Sequence, residues 1–147
     1  MLNRQCTRLL EFDAAHRVMR HESKCATLHG HRYKVEVTCE AAELDYVGRV
    51  VDFGMIKSTF GKWLDDNMDH TTIVNEADND LLTWTANDHR ERGKRAPYVF
   101  PGEPTAENLA KHLLEKADDL LGKGGLRVCK VRVWETPNCY ADYEATP

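Results

Sequence analysis

Apolar and polar positions alternate early in the chain. Leu10, Phe12, Ala14 and His16 fall on one side, and Glu11, Asp13 and Ala15 on the other. A period of two predicts a half-buried strand. From His29 to Cys39 the alternation is clearer. His29, His31, Tyr33, Val35, Val37 and Cys39 share one face, and Arg32, Lys34, Glu36 and Thr38 share the other. Asp45 to Gly48 reads as a turn, which predicts a hairpin of the strands on either side of it. From Phe53 the period lengthens. Ile56, Phe60, Trp63, Leu64 and Met68 form one helical stripe behind an Asp52 N-cap. A second helix starts at Pro104-Thr105, with Glu107 in its first turn. It buries Leu109, Leu113, Leu114, Ala117, Leu120 and Leu121, and Gly122 and Gly124-Gly125 end it. A last alternating run sets Cys129, Val131, Val133 and Glu135 against Lys130, Arg132 and Trp134. Pro137-Asn138 then turns the chain into a short strand, Tyr140 to Tyr143. The order is ββααββ, an α+β domain on an antiparallel sheet. Between Asn75 and Gly102 no period is sustained, so a long polar loop is expected at about 75–104. Its cations Arg90, Arg92, Lys94 and Arg95 form either a solvated surface or a loop reaching toward phosphates.

Composition narrows the class. A length of 147 residues suits one domain over 1–147. The net charge of −4 gives no global basic surface, so no nucleic-acid partner is expected. No apolar run approaches the ~20 residues of a membrane span, and the start Met1 to Cys6 lacks the apolar core of a secretory signal. Five scattered cysteines then fit a reduced, cytoplasmic protein.

The candidate chemistry sits on the strands. Residues two apart on a strand point the same way, with Cα atoms roughly 6.6 Å apart. His29 and His31 can therefore reach one ion, and antiparallel pairing brings His16 across from them. Three neutral imidazoles without a fourth protein ligand describe a catalytic zinc site with an open position. The bland alternative makes them polar residues at a strand entrance. Cys25 is either a fourth ligand that closes the site or a thiolate held near it. Cys6, Cys39, Cys129 and Cys139 read as small apolar fillers. Asp69-His70 can form an acid–base dyad only where the chain leaves the helix through an irregular turn. His21, His89 and His112 read as surface residues. Glu135, ending an apolar face, either emerges into solvent or accepts a donor–donor edge.

In this order Phe12-Asp13-Ala14-Ala15-His16-Arg17, Cys25-x-x-x-His29-Gly30-His31, Asp69-His70, Pro104-Thr105-Ala106-Glu107-Asn108 and Trp134-Glu135-Thr136 resemble the 6-pyruvoyl-tetrahydropterin synthase and 6-carboxytetrahydropterin synthase family. The resemblance runs from about Leu9 to Tyr143. It implies a tunnelling fold: a four-stranded antiparallel sheet with two helices on one face, three subunits joined into a barrel, and two trimers stacked into a homohexamer with intersubunit active sites. It further implies zinc on His16, His29 and His31, and Cys25 as catalytic thiolate. Asp69 and His70 become its acid–base partner, and Glu135 the anchor of the pterin edge. Glu107 and Thr105 frame the pocket. The implied substrate is 7,8-dihydroneopterin triphosphate. The three residues between Cys25 and His29 resemble the carboxy-forming enzymes, which release acetaldehyde and triphosphate in queuosine-type 7-deazaguanine biosynthesis. The pyruvoyl-forming enzymes of the biopterin branch, and a non-catalytic module with Cys25 as fourth zinc ligand, are the alternatives. The segment Glu76 to Glu103 is longer than the family's compact members require.

Overall fold

The computed structural model describes residues 3–147, so Met1 and Leu2 of the opening stretch lie outside the described residues. Strands β1 (Arg4–His16) and β2 (His29–Ala41) pair antiparallel along their full length, with Phe12 opposite Tyr33 and His16 opposite His29. Their apolar faces form the centre of the core, where Phe12, Tyr33, Val35 and Val37 are fully buried. Strands β5 (Leu126–Thr136) and β6 (Cys139–Glu144) continue the sheet antiparallel beyond β2. The Asp45–Gly48 turn forms, with the Gly48 N–H donating to the Asp45 carbonyl at 2.9 Å. It leads from β2 into a helix and joins no hairpin; the β1–β2 hairpin closes through residues 17–28.

Helical structure starts at Asp52, whose carboxylate accepts the Gly54 N–H at 2.9 Å. It runs through α1 (Phe53–Ile56), a π turn (Lys57–Gly61) and α2 (Lys62–Asn67). The π turn has a cause in the spacing. Ile56, Phe60, Leu64 and Met68 recur every four residues, and all four are buried. At 3.6 residues per turn such a stripe would drift off the core; one wider turn brings it back. Helix α4 (Ala106–Leu121) packs on the same face of the sheet through Leu109, Leu113, Leu114 and Ala117, and Thr105 caps its start. Leu120, expected in that stripe, is 41% exposed, because only Leu121 of the last pair points inward.

The sheet departs from the expected four antiparallel strands. Among the described residues it has six strands and is mixed, running from β4 (Tyr98–Phe100) through β3 (Thr71–Asn75), β1, β2 and β5 to β6. Strands β3 and β4 are parallel to each other and to the end of β1. The chain between them is not the loop expected at 75–104. It forms helix α3 (Asn79–Arg92), capped by Asp78 and closed by Gly93 at φ 64°. A bulge between Thr38 and Cys39 also shifts the β2–β5 register, so Val128, not Cys129, enters the core. Of the cysteines read as fillers, Cys39 and Cys129 are buried, Cys6 is half-buried, and Cys139 is exposed. His112 is not a surface residue: its ring is hydrogen-bonded to the Tyr98 hydroxyl at 2.6 Å, and burial pushes its pKa down.

Candidate metal centre

The β1–β2 register brings the three histidines together. His16 lies opposite His29, and Ala14 opposite His31. Ring centroids are 4.7 Å apart for His16–His29, 4.8 Å for His29–His31 and 5.1 Å for His16–His31. One nitrogen from each ring lies within 4.8 Å of the other two. Backbone carbonyls fix two of the rings. His16 Nδ1 donates to Pro104 O at 2.8 Å, and His29 Nδ1 donates to Thr27 O at 2.6 Å. With Nδ1 carrying the proton, Nε2 of each ring is left as a lone pair. His16 Nε2 and His31 Nε2 are buried and have no hydrogen-bond partner among the described residues. A buried polar nitrogen left this way costs free energy unless something binds it. Three neutral imidazoles sharing one centre are also a zinc donor set, so the residues fit the metal. Burial, the nearby His29 and His31 and the neutral form that they favour push His16 down to about 4 against the pull of Pro104 O, and burial lowers His31 as well.

Tyr33 is the floor beneath the rings, edge-on to His16 and His31, with its own hydroxyl buried and unpartnered. Glu135 stands at the rim, where β5 is irregular between Trp134 and Thr136. Its carboxylate oxygens are 3.9 Å from His16 Nε2 and 3.9 Å from His31 Nε2. Burial and then the charge of Glu107 push its pKa up, while His29 and the Ala106 N–H act the other way. Of the two readings left open by the sequence, the strand does not simply emerge into solvent here; the carboxylate faces the histidines. Glu107 is exposed, and the Thr105 hydroxyl accepts the Asn108 N–H at 3.2 Å as the cap of α4.

Asp69 and His70 follow α2 in the irregular turn that the dyad requires. His70 has φ 59°, and its Nδ1 is 2.9 Å from Asp69 Oδ2. The Asp13 peptide clamps the pair: its N–H donates to Asp69 Oδ1 at 2.9 Å, and its carbonyl accepts the His70 N–H at 2.7 Å. Burial pushes the Asp69 carboxyl up, but the Asp13 N–H, His70 and Arg95 together hold it below its ordinary value. The His70 side chain is 72% exposed. It lines an open cavity of about 510 Å³ with Asp13, Gly30 and His31.

Cys25 lies in a single 3-10 turn, Lys24–Ala26, half-buried, and its sulfur is not among the ligand atoms gathered by the three histidines. Sequence reasoning passed over Glu103. Its Oε1 accepts the Met19 N–H (3.1 Å) and Asn75 Nδ2 (2.9 Å), and its Oε2 accepts the Arg20 N–H (2.9 Å). Burial pushes this carboxyl up, yet those donors hold it below its ordinary range. No local pattern marks such a residue, since its partners come from two distant parts of the chain.

Fold and site together define an α+β protein with a three-histidine centre at one end of a mixed sheet. The model of the 6-pyruvoyl tetrahydropterin synthase family matches residues 5–146. The chain is similar to the 6-carboxy-5,6,7,8-tetrahydropterin synthase of Rickettsia felis, 39% identical over 139 residues that cover 94% of this chain and 98% of the relative. It is similar also to that of Haemophilus influenzae, 31% identical over 140 residues covering 90% and 93%. Among solved structures, an uncharacterized protein from Wolinella succinogenes superposes with a TM-score of 0.81 at 24% identity, covering 99% of this chain and all of that one. The 6-pyruvoyl tetrahydropterin synthase of Caenorhabditis elegans follows at 0.68 and 23%, covering 99% and 98%. The protein belongs to the 6-pyruvoyl tetrahydropterin synthase family.

Proposed function

We propose that the protein acts as a 6-carboxy-5,6,7,8-tetrahydropterin synthase, a carbon–carbon lyase. It converts 7,8-dihydroneopterin triphosphate and water to 6-carboxytetrahydropterin, acetaldehyde and triphosphate, in the cytoplasm and on the route to queuosine-type 7-deazaguanines. The observation that carries this reading is the convergence of His16, His29 and His31 with two buried Nε2 atoms left unpartnered. Relatives named for this synthase, matched over most of the chain, support it.

His16, His29 and His31 would hold zinc through Nε2, and the ion when bound polarises the substrate's side-chain hydroxyls and acidifies the adjacent carbon-bound protons. Cys25, as a thiolate, takes up such a proton. His70, oriented through Nδ1 by Asp69, exchanges a proton at its exposed Nε2. Glu135 accepts the pterin's 2-amino and ring N–H edge as a bidentate pair. Glu107 frames the pocket beside it, and Thr105 does so through the helix start that it caps. A homohexamer of two trimers, with sites between subunits, completes the pocket.

The test is mass spectrometry of the products after zinc-loaded protein meets 7,8-dihydroneopterin triphosphate. Carboxytetrahydropterin with acetaldehyde is expected. A pyruvoyl product without acetaldehyde places the protein in the biopterin branch. Folded, zinc-bound protein without turnover overturns both readings and leaves a zinc-stabilised module. In that module Cys25→Ala would lose the metal, whereas in the enzyme it keeps zinc and loses turnover.

A further inference from the structure

The connection 17–28 between β1 and β2 carries Cys25, and it is folded largely on itself. Val18 N–H donates to the Cys25 carbonyl at 2.9 Å, His21 N–H to the Val18 carbonyl at 2.9 Å, and Ala26 N–H to the Ser23 carbonyl at 3.1 Å. Among the described residues, hydrogen bonds reach its backbone from elsewhere in two places only. The His29 ring holds the Thr27 carbonyl, and Glu103 holds the Met19 and Arg20 N–H groups. Glu103 is itself fixed on the body of the protein. Asn75, buried at the end of β3, donates to its carboxylate, and Asn108 on α4 donates to its carbonyl at 2.9 Å. The next residue, Pro104, supplies the carbonyl that orients His16. One short segment before α4 thus fixes both a histidine of the centre and the loop of the cysteine.

The structure assigns Glu103 as a positioning residue: its carboxylate latches the Cys25-bearing connection to Asn75 of β3, while its own backbone is held by α4, and so sets where the thiol stands relative to the three histidines. The catalytic consequence rests on the role of Cys25 proposed above; the latch itself does not. Two acceptor bonds into consecutive backbone amides fix the direction of that segment as well as its place. A misplacement of about 1 Å in a reacting group can cost roughly 10²-fold in rate.

Iodoacetamide alkylation of the zinc-loaded full chain, followed cysteine by cysteine by peptide mass spectrometry, tests the latch without substrate. The exposed Cys139 serves as internal reference and the buried Cys39 as a sentinel for unfolding. In Glu103→Ala the Cys25 rate should rise about tenfold relative to Cys139, while kcat falls roughly 10- to 100-fold with KM little changed. Glu103→Gln keeps one acceptor oxygen and should lie between the two. An unchanged Cys25/Cys139 ratio in folded Glu103→Ala overturns the assignment. If Cys39 reacts in that variant, Glu103→Gln decides: wild-type ratio and wild-type kcat overturn it equally. Absence of turnover in the wild type would sink the proposed activity, while the alkylation ratio still judges the latch.

Discussion

His70 holds its backbone at φ 59°, where a side chain with a Cβ costs roughly 1–2 kcal/mol. Hydrogen bonds to the Asp13 peptide and the Asp69 carboxylate keep it there. Strain retained at a position whose imidazole faces an open cavity fits the proton-exchange role proposed for His70. His70→Gly separates that role from a structural one. Its melting temperature should match or exceed the wild type, while turnover drops by about 10²-fold or more. A fall in both would mean that the ring supports the fold. The residues of the site differ in how legible they were. His16, His29 and His31 stand out because a period of two leaves their directions almost no freedom once the strands pair. Asp69-His70 was visible as a dipeptide, but the left-handed turn that makes it a dyad depends on Asp13, fifty-odd positions away. Glu103 had no signature at all, since a carboxylate before Pro104 looks like any loop acid until the folded chain brings Met19, Arg20 and Asn75 to it.

Among the elements, α3 shows how a helix escapes a periodicity argument. Only Leu81 and Thr85 of its fourteen residues are buried, so no apolar stripe exists to be read. Its ends carried the information instead: Asp78 accepts the Leu81 N–H, and Gly93 takes the left-handed closing position. β3 was hidden for another reason. Short parallel strands covered on both faces read as continuous apolar runs, and Ile73, Val74 and Asn75 are all buried. Asp78 does more than cap α3, because Arg17 forks onto both of its oxygens at 2.6 Å. That hydrogen bond, ahead of burial acting in the opposite sense, holds the Asp78 pKa below its ordinary value of 3.8. A depressed carboxylate contributes fully above its unfolded pKa and loses that contribution as pH falls through the folded one. Asp78→Asn keeps the cap and removes the charge. It should cost about 1–2 kcal/mol in urea unfolding at pH 7. The difference from wild type should shrink below about pH 3.8, the carboxyl's ordinary value; a pH-independent difference would refute the ion-pair account.

For the whole molecule, the two sides of the sheet end differently. β3 covers β1 only at Ala14, Ala15 and His16, so among the described residues the edge of β1 from Arg4 to Asp13 has no strand neighbour there, and β6 is the opposite edge. Long uncovered edges invite pairing with another chain. Joining such edges between copies is the assembly that the family resemblance implies. Light scattering should therefore give six times the 16.8 kDa chain mass; a monomer would remove the basis for sites shared between subunits. The ββααββ skeleton was legible because its long strands and amphipathic helices carry most of the core. The added parallel pair and α3 were not, because their stability comes from neighbours rather than from their own pattern.

The unpartnered nitrogens of His16 and His31 bear on more than ligand geometry. A group that binds the native state and not the unfolded one shifts the folding equilibrium by mass action, by about 4 kcal/mol at a thousandfold excess over its dissociation constant. Under the zinc-holding role proposed for it, the histidine centre would in this sense also be a stability dial, set by free metal concentration. Chelator-treated protein should melt well below zinc-loaded protein, and the midpoint should climb with the logarithm of added zinc. With zinc so held, a melting curve would double as an affinity measurement, and a metal-poor preparation would be the less stable one before any assay of its chemistry began.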